Sequence, residues 1–436
     1  MNFTLSINGA APVDVKSIGG RVMSRRQLNQ KSGSLRLEFT RRLGQPAPPI
    51  VFGDIVRVWL NGRGYFAGTA GAPTWRDDGG AGSFGIDLHD PWQGFEQLQF
   101  VRGYGPIDGT PSGDFDPGYV NTHGTLVTQA LMKSFLSSRT MLGMTGVYKG
   151  FSPVTDNLLT LGEQALEVVR LAKSRLAKTG GLSFVFDSAQ EAALAALGEL
   201  TTMPEEISNM SCAAVLTKVL RWYPDAAVWW DYSTVTTPAA LPTLRITVMS
   251  SATPETWTIG RGGLVARELT VRDDMRPAGV VMRFESPAST DLWRIYNWFP
   301  ELPGLAWPAT AQANNPRVLA QVMPVPTDWP VTPSLAQEVY DRLAVRVVEG
   351  TLTRTSADLR ADMAPGLVVE LAGDAPSWPA GGRMYVQDVT DSPASGTQTV
   401  RCGYPGHLGV TDFESLGKAM ALSLYLGQGW GSLSGG

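Results

Sequence analysis

Three histidines and two cysteines are the whole stock of side chains that most readily hold metal or attack a substrate in this chain of 436 residues. His89, His123 and His407 lie far apart, and none falls in a His-Glu-x-x-His spacing. Cys212 and Cys402 are equally remote, so neither a zinc cluster nor a disulfide framework is predicted. His89-Asp90 with Trp92 could form part of a site, but a strand end is the simpler reading. Asp114-Phe115-Asp116-Pro117-Gly118 resembles a fragment of a calcium loop without its third acid or closing Glu, so an Asx turn is expected. Gly80-Ala81-Gly82-Ser83-Phe84-Gly85 has the glycine spacing of a dinucleotide loop. That chemistry needs a helix next, to meet phosphate with its N-terminus, whereas an alternating strand follows; a hairpin turn is predicted.

The remaining acids are no more suggestive. Glu205-Glu206 and Asp273-Asp274 are adjacent in sequence, whereas a glycosidase needs two carboxylates facing each other across a cleft. No Gly-x-Ser-x-Gly is present. Trp229-Trp230-Asp231-Tyr232 could be a sugar-stacking platform. In a strand only one of the two Trp side chains can enter the core, so packing or an interface is the preferred reading. No catalytic, cofactor-binding or metal-binding residue is assigned, no cofactor is expected, and the chain is read as a non-enzyme.

Composition narrows the class. A chain this long divides into two to four domains. Charged residues are 17%, below the roughly 25% of ordinary soluble proteins, beside 48 Gly, 30 Pro and 13 Trp. A turn-rich β protein fits, with the low charge reflecting either a large β core or surface reserved for contacts. The formal net charge of −4 argues against a duplex-DNA binder. The pairs Arg25-Arg26 and Arg41-Arg42 are read as solvated strand ends. The start lacks the pattern of a signal peptide, and no apolar run is long enough for a membrane-spanning segment; a reducing cytoplasm is expected, at least until assembly or release.

Elements that could position such residues follow from periodicity. Strands are predicted at residues 4–7, 33–40, 55–60, 65–70 and 83–88. Asn61-Gly62 supplies the positive φ angles of a tight hairpin between the third and fourth. Residues 102–119 read as a long loop. Helices are predicted at 126–137, 158–176 and 188–197, the last with Ser188 as N-cap and Glu191 completing a capping box. A fourth spans 211–222, capped by Ser211, with Cys212, Val215, Leu216, Val219 and Leu220 on one face. Strands at 228–232 and 244–248 follow. The β pattern returns at 268–272, 279–284, 345–352, 367–371, 384–389 and 397–402, interrupted by a helix at 334–345. The fold class is thus α+β, mainly β: a first β-barrel domain (1–98), an inserted α+β domain (99–264), a second β-barrel domain (265–426) and a flexible Gly/Ser-rich terminus (427–436).

Three passages carry a resemblance: Phe52-Gly53-Asp54 through Tyr65-Phe66-Ala67-Gly68, Ser211 through Trp229-Trp230-Asp231-Tyr232, and Pro365-Gly366-Leu367-Val368 with its β-rich sequel. Together they resemble the baseplate hub or late-control proteins of tailed bacteriophages. The resemblance implies two tube-type β-barrels per subunit and a homotrimer whose six barrels form a ring joining the tail tube to the tip. It implies a virion protein of the tail tip with adjacent tail-tube, distal tail, tip and fibre proteins as partners, and DNA only as passing cargo. Candidate interface residues are Trp59, Tyr65, Phe66, Trp229, Trp230 and Trp430. The alternatives are a distal tail protein forming a hexameric ring, a host-surface carbohydrate-binding tail protein, and a peptidoglycan hydrolase.

Overall fold

The computed structural model describes residues 1–42, 50–77, 81–99, 161–179, 181–197, 210–220, 223, 225–258, 264–272, 279–285, 294–298, 318–324, 347–355, 359–372 and 382–405. Eight strands form the first β module: β1 (Phe3–Ile7), β2 (Val13–Asp14), β3 (Gly20–Leu28), β4 (Ser34–Arg42), β5 (Ile55–Leu60), β6 (Arg63–Ala70), β7 (Thr74–Asp77) and β8 (Ala81–His89). All their pairings are antiparallel. The β5–β6 turn is the predicted one. Leu60 pairs with Arg63, and Asn61 and Gly62 between them have φ of 50° and 79°. The glycines read as a turn at 80–85 are shifted: β7 and β8 form the hairpin, and Gly82 and Gly85 lie within β8.

Strand β3 is missing from the sequence reading, and its composition explains why. Gly20 and Val22 face the interior, then a bulge between Val22 and Ser24 reverses the phase and turns Arg25 and Gln27 inward. Arg25 is therefore not a solvated strand end; it is 1% exposed.

The inserted region contributes α1 (Trp92–Gln97), α2 (Leu161–Thr179), α3 (Ser188–Ala195), α4 (Cys212–Leu220) and an antiparallel pair, β9 (Ala226–Asp231) with β10 (Thr243–Val248). Helix α4 is capped as predicted, Ser211 Oγ accepting from Ala214 N at 3.1 Å, and buries Cys212, Val215, Leu216, Val219 and Leu220. The cap of α3 differs by one residue. Asp187, in extended backbone, accepts from Gln190 N at 2.9 Å, so Ser188 is already helical. The predicted helices at 126–137 and 334–345 and the loop at 102–119 lie outside the described residues.

The second β module comprises β11 (Glu255–Thr258), β12 (Leu264–Val271), β13 (Gly279–Glu285), β14 (Arg294–Trp298), β15 (Val318–Pro324), β16 (Val348–Thr355), β17 (Val368–Ala372), β18 (Met384–Ser392) and β19 (Thr397–Cys402). β13, β14 and β15 form a separate three-stranded sheet. The others join the first module: β18 pairs antiparallel with β3, so one sheet of 14 strands has the main path β12-β16-β19-β18-β3-β4-β8-β6-β5-β1-β2, with β7 paired to β8, β17 to β18 and β11 to β17 off it. The protein is mainly β, as predicted, but the two modules are not separate cylinders, and along this path the ladder stays open among the described residues. The first module nevertheless curls on itself. Val15 N donates to Phe3 O and Gly20 N to Val15 O, drawing the β1–β2 end back to the start of β3.

Two apolar cores result. One is continuous through the first module, the four described helices and β9–β10, and reaches Val347, Leu359, Val368, Tyr385 and Tyr404 of the second module. The other lies within the second module around Leu352, Met384, Val386, Val389, Val400 and Cys402.

Candidate functional site: the joins around strand β3

Strand β3 meets the first module, the insert and the second module, and polar side chains make its contacts with the last two. Arg25 Nε lies 2.7 Å from Asp391 Oδ2 on β18, both groups at most 1% exposed. The Nε hydrogen is not aimed along that line, so the contact is a Coulombic pair, and Nη1 and Nη2 donate instead to the carbonyls of Tyr65, Ala361 and Met363. The guanidinium also sits 4.1 Å from the centroid of the Tyr65 ring. Tyr65 donates its hydroxyl to Asp391 Oδ2 at 2.7 Å, and Gln398 Nε2 donates to Asp391 Oδ1 at 2.8 Å. Burial opposes the charge on Arg25, but the attraction of Asp391, reinforced by Tyr65 and Tyr232, outweighs it and holds the pKa above its ordinary value. Burial likewise pushes the Tyr65 phenol well up, so it remains a donor.

The seam continues along the same strand face. Asn29 Nδ2 donates to Gln387 Oε1 at 2.7 Å while its Oδ1 accepts from Val228 N of β9 at 2.9 Å. Gln387 Nε2 donates to Gly403 O, Gln27 Nε2 to Trp230 O, and Gln30 Nε2 to Ala226 O. Arg25, Gln27 and Asn29 thus recur with the period of two that a strand requires. That periodicity was the available signal; a search for apolar alternation passes over it.

The sequence-chosen contact residues sit at joins, but the joins lie within one chain. Trp59 is buried and donates Nε1–H to Val235 O, because residues 235–240 of the insert cover the outer face of β5. On the same face, burial lowers the pKa of Arg57, which donates to Ala240 O. Phe66 is buried with its ring centroid 5.0 Å from that of Tyr232. Gly64 admits this approach: a Cβ there would stand 1.9 Å from Tyr232 O. Trp230 is buried against Phe95 and Phe184, with centroids at 6.2 and 5.0 Å. Trp229 points the other way and is half-buried, Nε1 donating to Thr247 Oγ1 at 3.1 Å, its ring edge against Gly366 of the second module. Trp230 is committed to the core, and Trp229 packs along one edge while remaining half-buried. Trp430 lies outside the described residues.

Nothing in this arrangement activates a nucleophile. Cys212 and Cys402 are free and buried, and burial pushes both thiols up to about 12, which keeps them protonated at neutral pH. His89 ends β8, and Asp90 beside it accepts from Gly33 N at 2.7 Å and Trp92 N at 3.0 Å. Burial pushes that carboxyl well up although the two backbone donors oppose it. Among the described residues no cluster of three or more His, Cys, Asp or Glu could hold a metal ion. No helix among them is long and apolar enough to cross a membrane.

No protein-family model and no curated protein matches the sequence. Among solved structures the chain is similar to the 43 kDa tail protein of prophage MuSo2 from Shewanella oneidensis, at 11% identity and a TM-score of 0.47 over 97% of this chain and 99% of that one. It is similar to the tail protein from Neisseria meningitidis MC58 at 12% identity and a TM-score of 0.43, covering 94% and 99%. It is also similar to prophage tail protein gp18 from Listeria monocytogenes EGD-e at 9% identity and a TM-score of 0.41, covering 97% and 99%.

Proposed function

We propose that the chain is a structural protein of a phage tail tip or baseplate, the hub, assembling as a homotrimer that joins the tail tube to the tip. One observation carries this reading. β strands from opposite ends of the chain meet edge to edge at β3 and β18, with an α+β insert docked on the first module. A subunit built this way brings two β modules at once, so three copies supply six modules to a ring around a channel for passing DNA. The insert and residues 102–119 and 427–436 are the elements proposed to dock neighbouring tail and tip proteins. The function is assembly, and the buried seam keeps the two modules of each subunit in fixed register.

Mass measurement of purified tail particles tests this. Three copies per tail, located at the tip by labelled antibody, are expected. Six copies favour the distal-tail ring, and a number not divisible by three defeats the trimeric hub.

A further inference from the structure

The most exposed large apolar side chain among the described residues is Phe52, at 74%, next to Val51 at 59%. Their backbone is held firmly. Val51 N donates to Asp54 Oδ2 at 2.7 Å, Gly53 N to Ala70 O at 2.9 Å, and Ala70 N to Asp54 O at 2.8 Å. Asn8 Nδ2 donates to Asp54 Oδ1, and Ile55 N donates back to Asn8 Oδ1. Gly53 turns the chain with φ of 88°, and Ile50 anchors the near side in the core at 1% exposure. A phenyl ring fixed in water on such a turn loses little freedom when a partner buries it.

A seat of matching character lies at the other end of β1. A pocket of about 310 Å³ is lined by the buried side chains of Phe3, Val15 and Val22, by Pro393 of the β18–β19 turn, and by the exposed Lys16 and Arg21. The register separates knob from seat. Ile7 pairs with Val56, beside the Phe52 turn, whereas Phe3 at the opposite end of β1 pairs with Leu60. The strand between them keeps one from filling the other in the same copy. Charge agrees with the fit through Asp54 beside the knob and Lys16 beside the seat, while Arg21 at the rim is paired with Glu38. The pocket also spans both β modules, since Pro393 belongs to the second.

We propose that the Val51-Phe52 knob of one copy seats in the Phe3–Val15–Val22–Pro393 pocket of the next copy. Two different patches of one molecule that fit each other make a head-to-tail contact, which closes into a ring when the rotation per copy allows it. Use of this contact in a tail rests on the hub reading above; the contact itself does not.

Single-cysteine chains test the pairing directly, because the two native thiols are buried. Val51→Cys protein, which keeps the Phe52 ring, mixed with Ala394→Cys protein under mild oxidation is expected to give a mixed disulfide dimer well above the yield of either alone. Equal yields overturn the proposal. In sedimentation of the full chain, Phe52→Ser and the pocket-filling Ala394→Trp should each raise the association midpoint roughly tenfold or more, the size expected for one buried aromatic. Both positions are exposed, so folding should survive, and an unchanged midpoint in either variant overturns the contact. The two readings fail separately. Three copies per tail with Phe52→Ser incorporated normally would leave the hub and remove the contact. A clean mixed disulfide from a protein present in a number not divisible by three would do the reverse.

Discussion

The first β module is joined to its two neighbours by contacts of different balance. Towards the insert the join is mainly apolar: Trp92, Phe95, Phe184, Leu216 and Trp230 belong to the same core as Leu35, Ile86 and Phe66, with the amides of Gln27, Asn29 and Gln30 bonded to the backbone of β9 beside it. Towards the second module the direct contacts of β3 are polar, carried by Arg25, Asn29, Gln387, Asp391 and Gln398, all buried and hydrogen-bonded or ion-paired, while Val347, Leu359, Val368, Tyr385 and Tyr404 extend the shared apolar core into that module. An apolar join tolerates small adjustments, because burial is non-directional. A buried polar join accepts one register only, since any slip strands a charge or an amide without a partner.

The largest effect expected from breaking this contrast is at the ion pair. Arg25→Met leaves Asp391 buried without a cation and should lower stability by about 3–5 kcal/mol. Replacing both, Arg25→Met with Asp391→Leu, should recover much of that loss. A double-mutant cycle on urea midpoints gives the coupling. Additive losses of under about 1 kcal/mol each would mean that the seam does not hold the modules.

Amides of the seam come next. Asn29→Ala strands the Val228 N–H and the Gln387 carbonyl, at about 1–3 kcal/mol for each group. The matching conservative change on the apolar side, Leu216→Met, should cost less than about 1.5 kcal/mol. If the two are equally costly, the contrast between the joins is only one of composition.

The same contrast decides what could be read from the sequence. The apolar side was legible because its residues announce themselves. Alternation fixed β5 and β10, Asn61-Gly62 fixed the turn, and the i, i+3, i+4 spacing of Cys212, Val215, Leu216 and Val219 fixed α4. The polar side was not. Arg25-Arg26-Gln27 looks like surface, and the bulge at Val22–Ser24 breaks the alternation that would have marked a strand. The six-residue helix α1 is too short to show a period. Trp59, Tyr65 and Phe66 were recognised as contact-makers, but aromatic character does not reveal whether the partner is another chain or the same one. At α3, Asp187 and Ser188 are both good caps, and only the backbone decides between them.

The two native cysteines can sharpen the comparison without mutation, since Cys212 lies in the shared core and Cys402 in that of the second module. Thiol labelling in rising urea reports the opening of each core. If the seam is the more brittle join, Cys402 should react at lower urea than Cys212, and Arg25→Met should widen the gap. Simultaneous exposure in both proteins would show one cooperative unit instead.

The smallest effect expected is on pH. Arg360 grips Asp362 with two hydrogen bonds of 3.1 Å and Glu255 with two of 3.0 and 3.4 Å. The hydrogen bonds from Arg360 are the main cause that holds both carboxyls below their ordinary values, against a smaller opposing effect of burial. A carboxyl whose pKa is lower folded than unfolded stabilises the fold above its unfolded value, and that contribution disappears as pH falls through the folded one. The loss should therefore fall at and below about pH 4, where free Asp and Glu titrate. It should be modest and weaken in high salt, because these side chains are largely within reach of solvent. Arg360 stands next to Ala361, whose carbonyl accepts from Arg25, so acid loosening here should reach the second module first. A pyridyl disulfide, which reacts with thiols in acid as well as at neutrality, should then label Cys402 progressively faster than Cys212 as pH is lowered. Arg360→Gln should flatten that dependence. A Cys402-to-Cys212 ratio that is the same at neutral and acid pH, or equally steep in Arg360→Gln, would place the acid-sensitive group elsewhere.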